Sequence, residues 1–216
     1  MRRSIIIRKG FSLIELLAAI SIVVLLSGIL IAVIGNVRNS ATLVSCAANM
    51  RQVALSMTLY SNDHNYQFPA HSTPGYGVWS RVLVNTGYID DPEVLACPAD
   101  EYAATAERPR SYVYPSPSMI PANDRNLAAS KLGFLSPTTT FMLIEWHWSK
   151  QDYLVNGGAV GGRDTMTSAF VMHPEGVRNF AFVDGHVERL EIDDMELNDP
   201  RWGNFKEQDG VKPVEP

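Results

Sequence analysis

Cysteine is almost absent from this chain. Only Cys46 and Cys97 occur in 216 residues, too few for a dense disulfide scaffold or a four-sulfur zinc site. One bridge between them is open in an oxidising compartment; the alternative is a buried Cys46 beside an unpaired Cys97. Basic charge is also short. Arg2, Arg3, Arg8 and Lys9 stand in the first ten residues, and the remainder holds 14 basic against 23 acidic residues. A body with a net charge of −9 excludes phosphate-backbone binding as its main business, which needs clustered Lys and Arg, so no nucleic-acid partner is expected. No HExxH pair is present, and the glycine-rich "NGGAVGGRD" lacks the Lys-Ser/Thr of a phosphate loop, so it reads as a surface loop.

Charge disappears altogether between Leu16 and Val37, a run of 22 residues. A bilayer's hydrocarbon core needs about 20 helical residues, so this run is long enough to cross it. The preceding "RRSIIIRK" places the amino terminus in the cytoplasm and the rest outside, by the positive-inside rule. A secretory signal would have a shorter apolar core and a clear small-residue cleavage site, for which "ILIAVIGNVRNSA" is a poor match. An ordinary anchor leaves Glu15 unexplained. A carboxylate costs roughly 2.5–3.5 kcal/mol at the centre of an inserted helix and less near its end, so it usually has a partner or a task.

"KGFSLIELL" resembles the processing site of type IV prepilins and type II secretion pseudopilins. The resemblance implies a leader over residues 1–10, cut between Gly10 and Phe11, and N-methylation of Phe11. A prepilin peptidase would do both. It also implies that Glu15 is an assembly contact. Cutting creates a cationic amine at the start of an apolar helix, and the carboxylate of a neighbouring subunit neutralises it, so neither charge stays unpaired in an apolar filament core.

No proline interrupts residues 11 to 62, which predicts a helix of about 50 residues, some 75 Å long. Residues 11–37 form its transmembrane or filament-core half, with Gly28 and Gly35–Asn36 the expected places to bend. Beyond Val37 the pattern turns amphipathic. Leu43, Cys46, Ala47, Met50, Val53, Ala54, Met57 and Tyr60 form one stripe, while Arg38, Asn49, Arg51, Gln52 and Ser56 form the other face. The stripe is where a globular head, residues 38–192, lies on the helix.

Asn62, Asp63, Asn65 and Pro69 end the helix. "WSRVLVNTGYI" reads as a short helix, "LACPAD" as a loop, "RSYVY" as a strand and "TTTFMLIEWHW" as a central strand. "VRNFAFV-DG-HVERLEI" predicts an antiparallel hairpin with a two-residue type I′ turn and one buried face. Two stretches resemble a subgroup of bacterial pilin-like proteins: "SCAANMRQVALSMTLYSNDHNYQFP", and this last region, where that subgroup places a His ten positions before an Asp-Gly. Here His173 precedes Asp184 by eleven, and the extra residue falls in "HPEGVRN". Residues 193–216 are polar and acidic and read as a loosely ordered tail.

The expected architecture is therefore α+β and pilin-like: a long N-terminal helix, half transmembrane and half amphipathic, against an antiparallel sheet. The expected function is a structural subunit of a type II secretion pseudopilus or a type IV pilus-like filament. Its partners would be the peptidase, other pilin or pseudopilin subunits and inner-membrane assembly machinery. It would span the inner membrane once, with the head extracytoplasmic, or stand in a cell-surface filament. No catalytic residue, metal ligand or cofactor is expected, with one candidate exception: major pseudopilins often carry a calcium loop, for which Asp90–Asp91 and Asp193–Asp194 are candidates. The alternative from another class is a membrane-anchored enzyme or metal-binding module, built from Glu145, His147, His173, Asp184 and His186 on neighbouring strands.

Overall fold

The computed structural model describes residues 13–73, 77–101, 103–115, 136–146, 159–160, 173 and 176–191. Its element order is α1 (Leu13–Asp63), β1 (Ser72–Thr73), β2 (Gly77–Val78), α2 (Trp79–Asn85), β3 (Tyr112–Pro115), β4 (Phe141–Glu145), β5 (Ala159–Val160), β6 (Val177–Phe182) and β7 (Val187–Glu191), with single 3-10 turns at Pro92–Leu95 and Ala103–Thr105. The chain divides into two units between Ala41 and Thr42.

The amino-terminal unit holds the first part of α1. Leu13–Ile31 is long and apolar enough to cross a membrane, and its large side chains are exposed throughout. No proline breaks the helical ladder, and Ser21 and Ser27 return their hydroxyls to the carbonyls of Leu17 and Val23. The helix runs on through Gly28 and Gly35.

The second unit begins inside α1. Cys46, Met50, Val53, Ala54 and Met57 are fully buried, the steps of three and four that bring side chains onto one face. The other face is less polar than its residues imply. Ser56 is buried and donates to the Gln52 carbonyl, and Asn49 reaches the Ala96 carbonyl at 2.9 Å. Asn65 and Tyr66, at φ 55° and 61°, reverse the chain after Asp63, and Phe68 and Pro69 turn it inward as buried residues.

Strand order in the main sheet is β5-β3-β4-β6-β7. Four strands, β3 to β7 without β5, are antiparallel, and the two-residue β5 joins β3 in parallel. Ala159–Val160 come from the glycine-rich stretch read above as a loop; its other residues lie outside those described. One face of the sheet packs with α1 and α2, through Tyr112, Tyr114, Met142, Leu143, Ala181 and Val183. Its other face gathers Val113, Phe141, Ile144, Trp146, Phe180 and Phe182. A bulge between Phe141 and Leu143 lets Met142 and Leu143 share one cluster.

Two expectations for the hairpin are corrected. β6 is buried along its whole length rather than on one face, because it lies between β4 and β7 and feeds both clusters. Only the edge strand β7 is partly exposed, with Val187 turned to the first cluster and Leu190 to the second. The turn is not type I′, which needs φ > 0 at both central residues. Gly185 has φ 96° while Asp184 does not share that conformation. Gly185 N–H donates to the Phe182 carbonyl, and Phe182 N–H to the His186 carbonyl. The loop is thus three residues long and ends in a bulged glycine.

Candidate functional site

The residues singled out by the sequence fall into two groups. Gly10 and Phe11 lie outside the described residues. Glu15 is exposed in the first turn of α1, where the helix dipole favours an acid. After it, Leu16, Leu17, Ile20, Val23 and Val24 are all at least half exposed. An uninterrupted apolar surface of this length is unstable in water and calls for lipid or a packed assembly.

The second group is buried in the head. Cys46 and Cys97 are joined by a disulfide, with Cα atoms 4.7 Å apart. Cys46 arrives on the buried stripe of α1. Cys97 arrives on the loop after the Pro92–Leu95 turn, which Asp91 caps by accepting from Glu93 N–H. That loop is fixed from beneath: Cys97 N–H donates to Ser111 Oγ at 2.9 Å, and Ser111 Oγ–H donates to Asp100 Oδ2 at 2.7 Å. Tyr112 O–H reaches the Cys46 carbonyl at 3.2 Å.

Two further titratable groups close on this bridge. His173 Nε2 lies 3.7 Å from Cys97 Sγ and 3.2 Å from Glu145 Oε2. Glu145, at the end of central strand β4, accepts from Asn179 N–H at 2.7 Å and from Asn179 Nδ2 at 2.8 Å. All of these side chains are buried. Arg178 donates to the Glu145 carbonyl at 3.3 Å and stands over the Trp146 ring. Burial lowers its guanidinium to about 10, against the opposing pull of Glu145, so it stays cationic at neutral pH. Burial first, then Glu145 and Asp100, push the Tyr112 phenol well above its ordinary value.

The five-residue constellation of the alternative reading does not assemble. His147 lies outside the described residues. Asp184 and His186 face each other in the β6–β7 turn, Nδ1 to Oδ1 at 2.6 Å, both partly exposed, with the imidazole stacked on Phe182. Glu145 is anchored at Asn179, three residues before the end of β6, roughly 10 Å away along an extended strand. Only Cys46, Cys97, Glu145 and His173 converge among the described residues, their ligand-type atoms within 4.8 Å of one another. His64 stacks on Tyr60 at the helix end instead. The convergence of a disulfide with His173 and Glu145 had no local signal; the His-to-Asp-Gly resemblance marked His173 by its spacing alone and named no contact for it.

Residues 7–31 match the family model described as Prokaryotic N-terminal methylation motif. The chain therefore carries a prepilin/pseudopilin-type N-terminus, and that segment contains Gly10, Phe11 and Glu15. No curated protein and no solved structure matches the chain.

Proposed function

We propose that the chain is a pilin-like or pseudopilin subunit, cut between Gly10 and Phe11 and methylated at the new Phe11 amine by a prepilin peptidase. It is anchored by α1 in the inner membrane with its amino terminus cytoplasmic and its head outside. From there it assembles with like subunits into a type II secretion pseudopilus or a type IV pilus-like filament. The observation that carries this reading is the methylation motif over residues 7–31, set on a helix whose apolar side chains stand exposed. Its physical support is that one apolar helix serves two solvents in turn: lipid before assembly, neighbouring helices after it.

Intact-mass analysis of the chain from cells with and without the peptidase tests the reading. The expected product lacks residues 1–10 and carries one methyl group on Phe11, and Gly10→Ala should block both changes. An uncut, monomeric and still active chain in the presence of the peptidase overturns it.

A further inference from the structure

The four converging side chains of the head make up a complete donor set for a thiophilic metal, held apart from it only by the bond between two of them. We infer that in the reduced chain Cys46, Cys97, His173 and Glu145 bind one zinc ion, so that disulfide and metal are alternative closures of the same site. The inference does not depend on how the amino terminus is processed.

Geometry carries it first. Zinc takes thiolate at about 2.3 Å, imidazole nitrogen at about 2.0–2.1 Å and carboxylate oxygen at about 2.0–2.2 Å, in a tetrahedron. Those lengths set a sulfur-to-nitrogen edge of about 3.6 Å and a nitrogen-to-oxygen edge of about 3.4 Å. The Cys97-to-His173 and His173-to-Glu145 distances are 3.7 and 3.2 Å, so two edges already stand near their length. His173 Nε2 is common to both edges, so a single atom faces the sulfur and the carboxylate together. Opening the disulfide frees the sulfurs to part toward the thiolate–thiolate edge of about 3.8 Å.

The surroundings fit as well. Asn179 holds both carboxylate oxygens of Glu145, and Ser111 with Asp100 holds the Cys97 backbone, so two ligands are oriented from behind. Two thiolates, one carboxylate, Zn²⁺ and the Arg178 guanidinium together carry no net charge, as a buried site requires. Two sulfur donors favour zinc or a similar borderline metal over calcium or magnesium, which take oxygen.

The redox step balances simply. A thiol or phosphine reductant supplies two electrons, two protons convert the disulfide to two thiols, and the metal then displaces both thiol protons. Because the site is buried, the ion enters as the reduced head folds, and its binding energy becomes folding energy.

The test uses the full chain in detergent, unfolded and refolded with a phosphine reductant, with Co²⁺ as a spectroscopic probe and Zn²⁺ as competitor. One Co²⁺ per chain, a thiolate-to-cobalt charge-transfer band and displacement by Zn²⁺ are expected. The oxidised chain should show none of these. His173→Ala should weaken Co²⁺ binding at least about tenfold, the scale at which even outer partners of such sites act. If the metal-free reduced chain fails to fold, recovery of a protease-resistant head on adding Zn²⁺ supports the inference, and failure to recover overturns it. Equal binding by oxidised and reduced chains, or by His173→Ala and the parent, also overturns it.

Discussion

Glu145 and Asn179 are joined twice, the backbone N–H of Asn179 donating to Oε2 at 2.7 Å and its Nδ2 to Oε1 at 2.8 Å. Both residues are buried, and His173 leans on the same carboxylate. Removing the acceptor strands several donors at once, each worth about 1–3 kcal/mol when left unsatisfied. Glu145→Ala should therefore destabilise the head by about 3 kcal/mol or more. Glu145→Gln keeps an acceptor but turns a donor against one of its partners, and should cost about 1–2 kcal/mol. Urea unfolding of the detergent-solubilised chain, followed by tryptophan fluorescence, reads both. An Ala variant within about 0.5 kcal/mol of the parent would place Glu145 among ordinary surface positions and remove its structural role.

The Cys46–Cys97 bond closes a loop with a sequence separation of 51. In the chain-entropy account that closure is worth about 4 kcal/mol at most. Cys46→Ala with Cys97→Ala should lose about 2–4 kcal/mol, measured in the same unfolding experiment. Thiol titration of the unfolded, unreduced parent should find none free; two free thiols would contradict the bridge.

Much of this fold was legible because it repeats locally. The buried stripe of α1 recurs every turn from Cys46 to Met57, and the β-branched, apolar run of β4 announces a central strand. The Asp-Gly marks the hairpin too, but not its turn type, which depends on how Phe182 closes on His186. The buried cluster was not legible. Cys97 and His173 are 76 residues apart, and they meet because the sheet places β3, β4 and β6 side by side. No spacing rule within one element encodes such a meeting. Ser56 shows the same limit in small: its polarity suggests the outer face, while packing of the head buries it.

Alkaline pH should loosen the head, through Tyr112 and Tyr114. Burial is the main cause of both shifts, and it raises each phenol well above 10 in the folded chain. Their contribution is complete below the unfolded value of about 10 and is lost as pH rises through the folded values. In that window each tyrosine removes about 1.4 kcal/mol of stability per pH unit. Arg178 works the other way: its folded value is lowered to about 10, so above it the unfolded chain holds the extra proton and stability rises with pH. Tyr60 and Tyr88 are raised in the same direction, so the tyrosines outweigh the one arginine and stability falls overall above about pH 10. Tyr112→Phe should flatten that slope. Unfolding curves that fall equally steeply for parent and variant would show that Tyr112 is not responsible.

If the proposed function holds, substitution of Glu15 should separate membrane insertion from assembly. Glu15 stands in the first turn of α1 within a segment otherwise suited to lipid, and in the proposed mature chain it is the fifth residue, counted from Phe11. Glu15→Leu replaces a charged side chain with an apolar one, so it should insert in the bilayer at least as well as the parent. In a filament the balance reverses. The mature amine needs a counter-charge among apolar helices, and a leucine leaves it buried and uncompensated, which costs several kcal/mol. Each 1.4 kcal/mol is a factor of about ten in an equilibrium, so incorporation should fall by well over tenfold. Leader cleavage should persist, because the cut lies between Gly10 and Phe11, outside the substituted position. Fractionating membranes from sheared filaments measures both arms in one culture. A variant that is cut, inserted and incorporated at the parent's level would refute the pairing of Glu15 with the amine while leaving processing at Gly10 untouched.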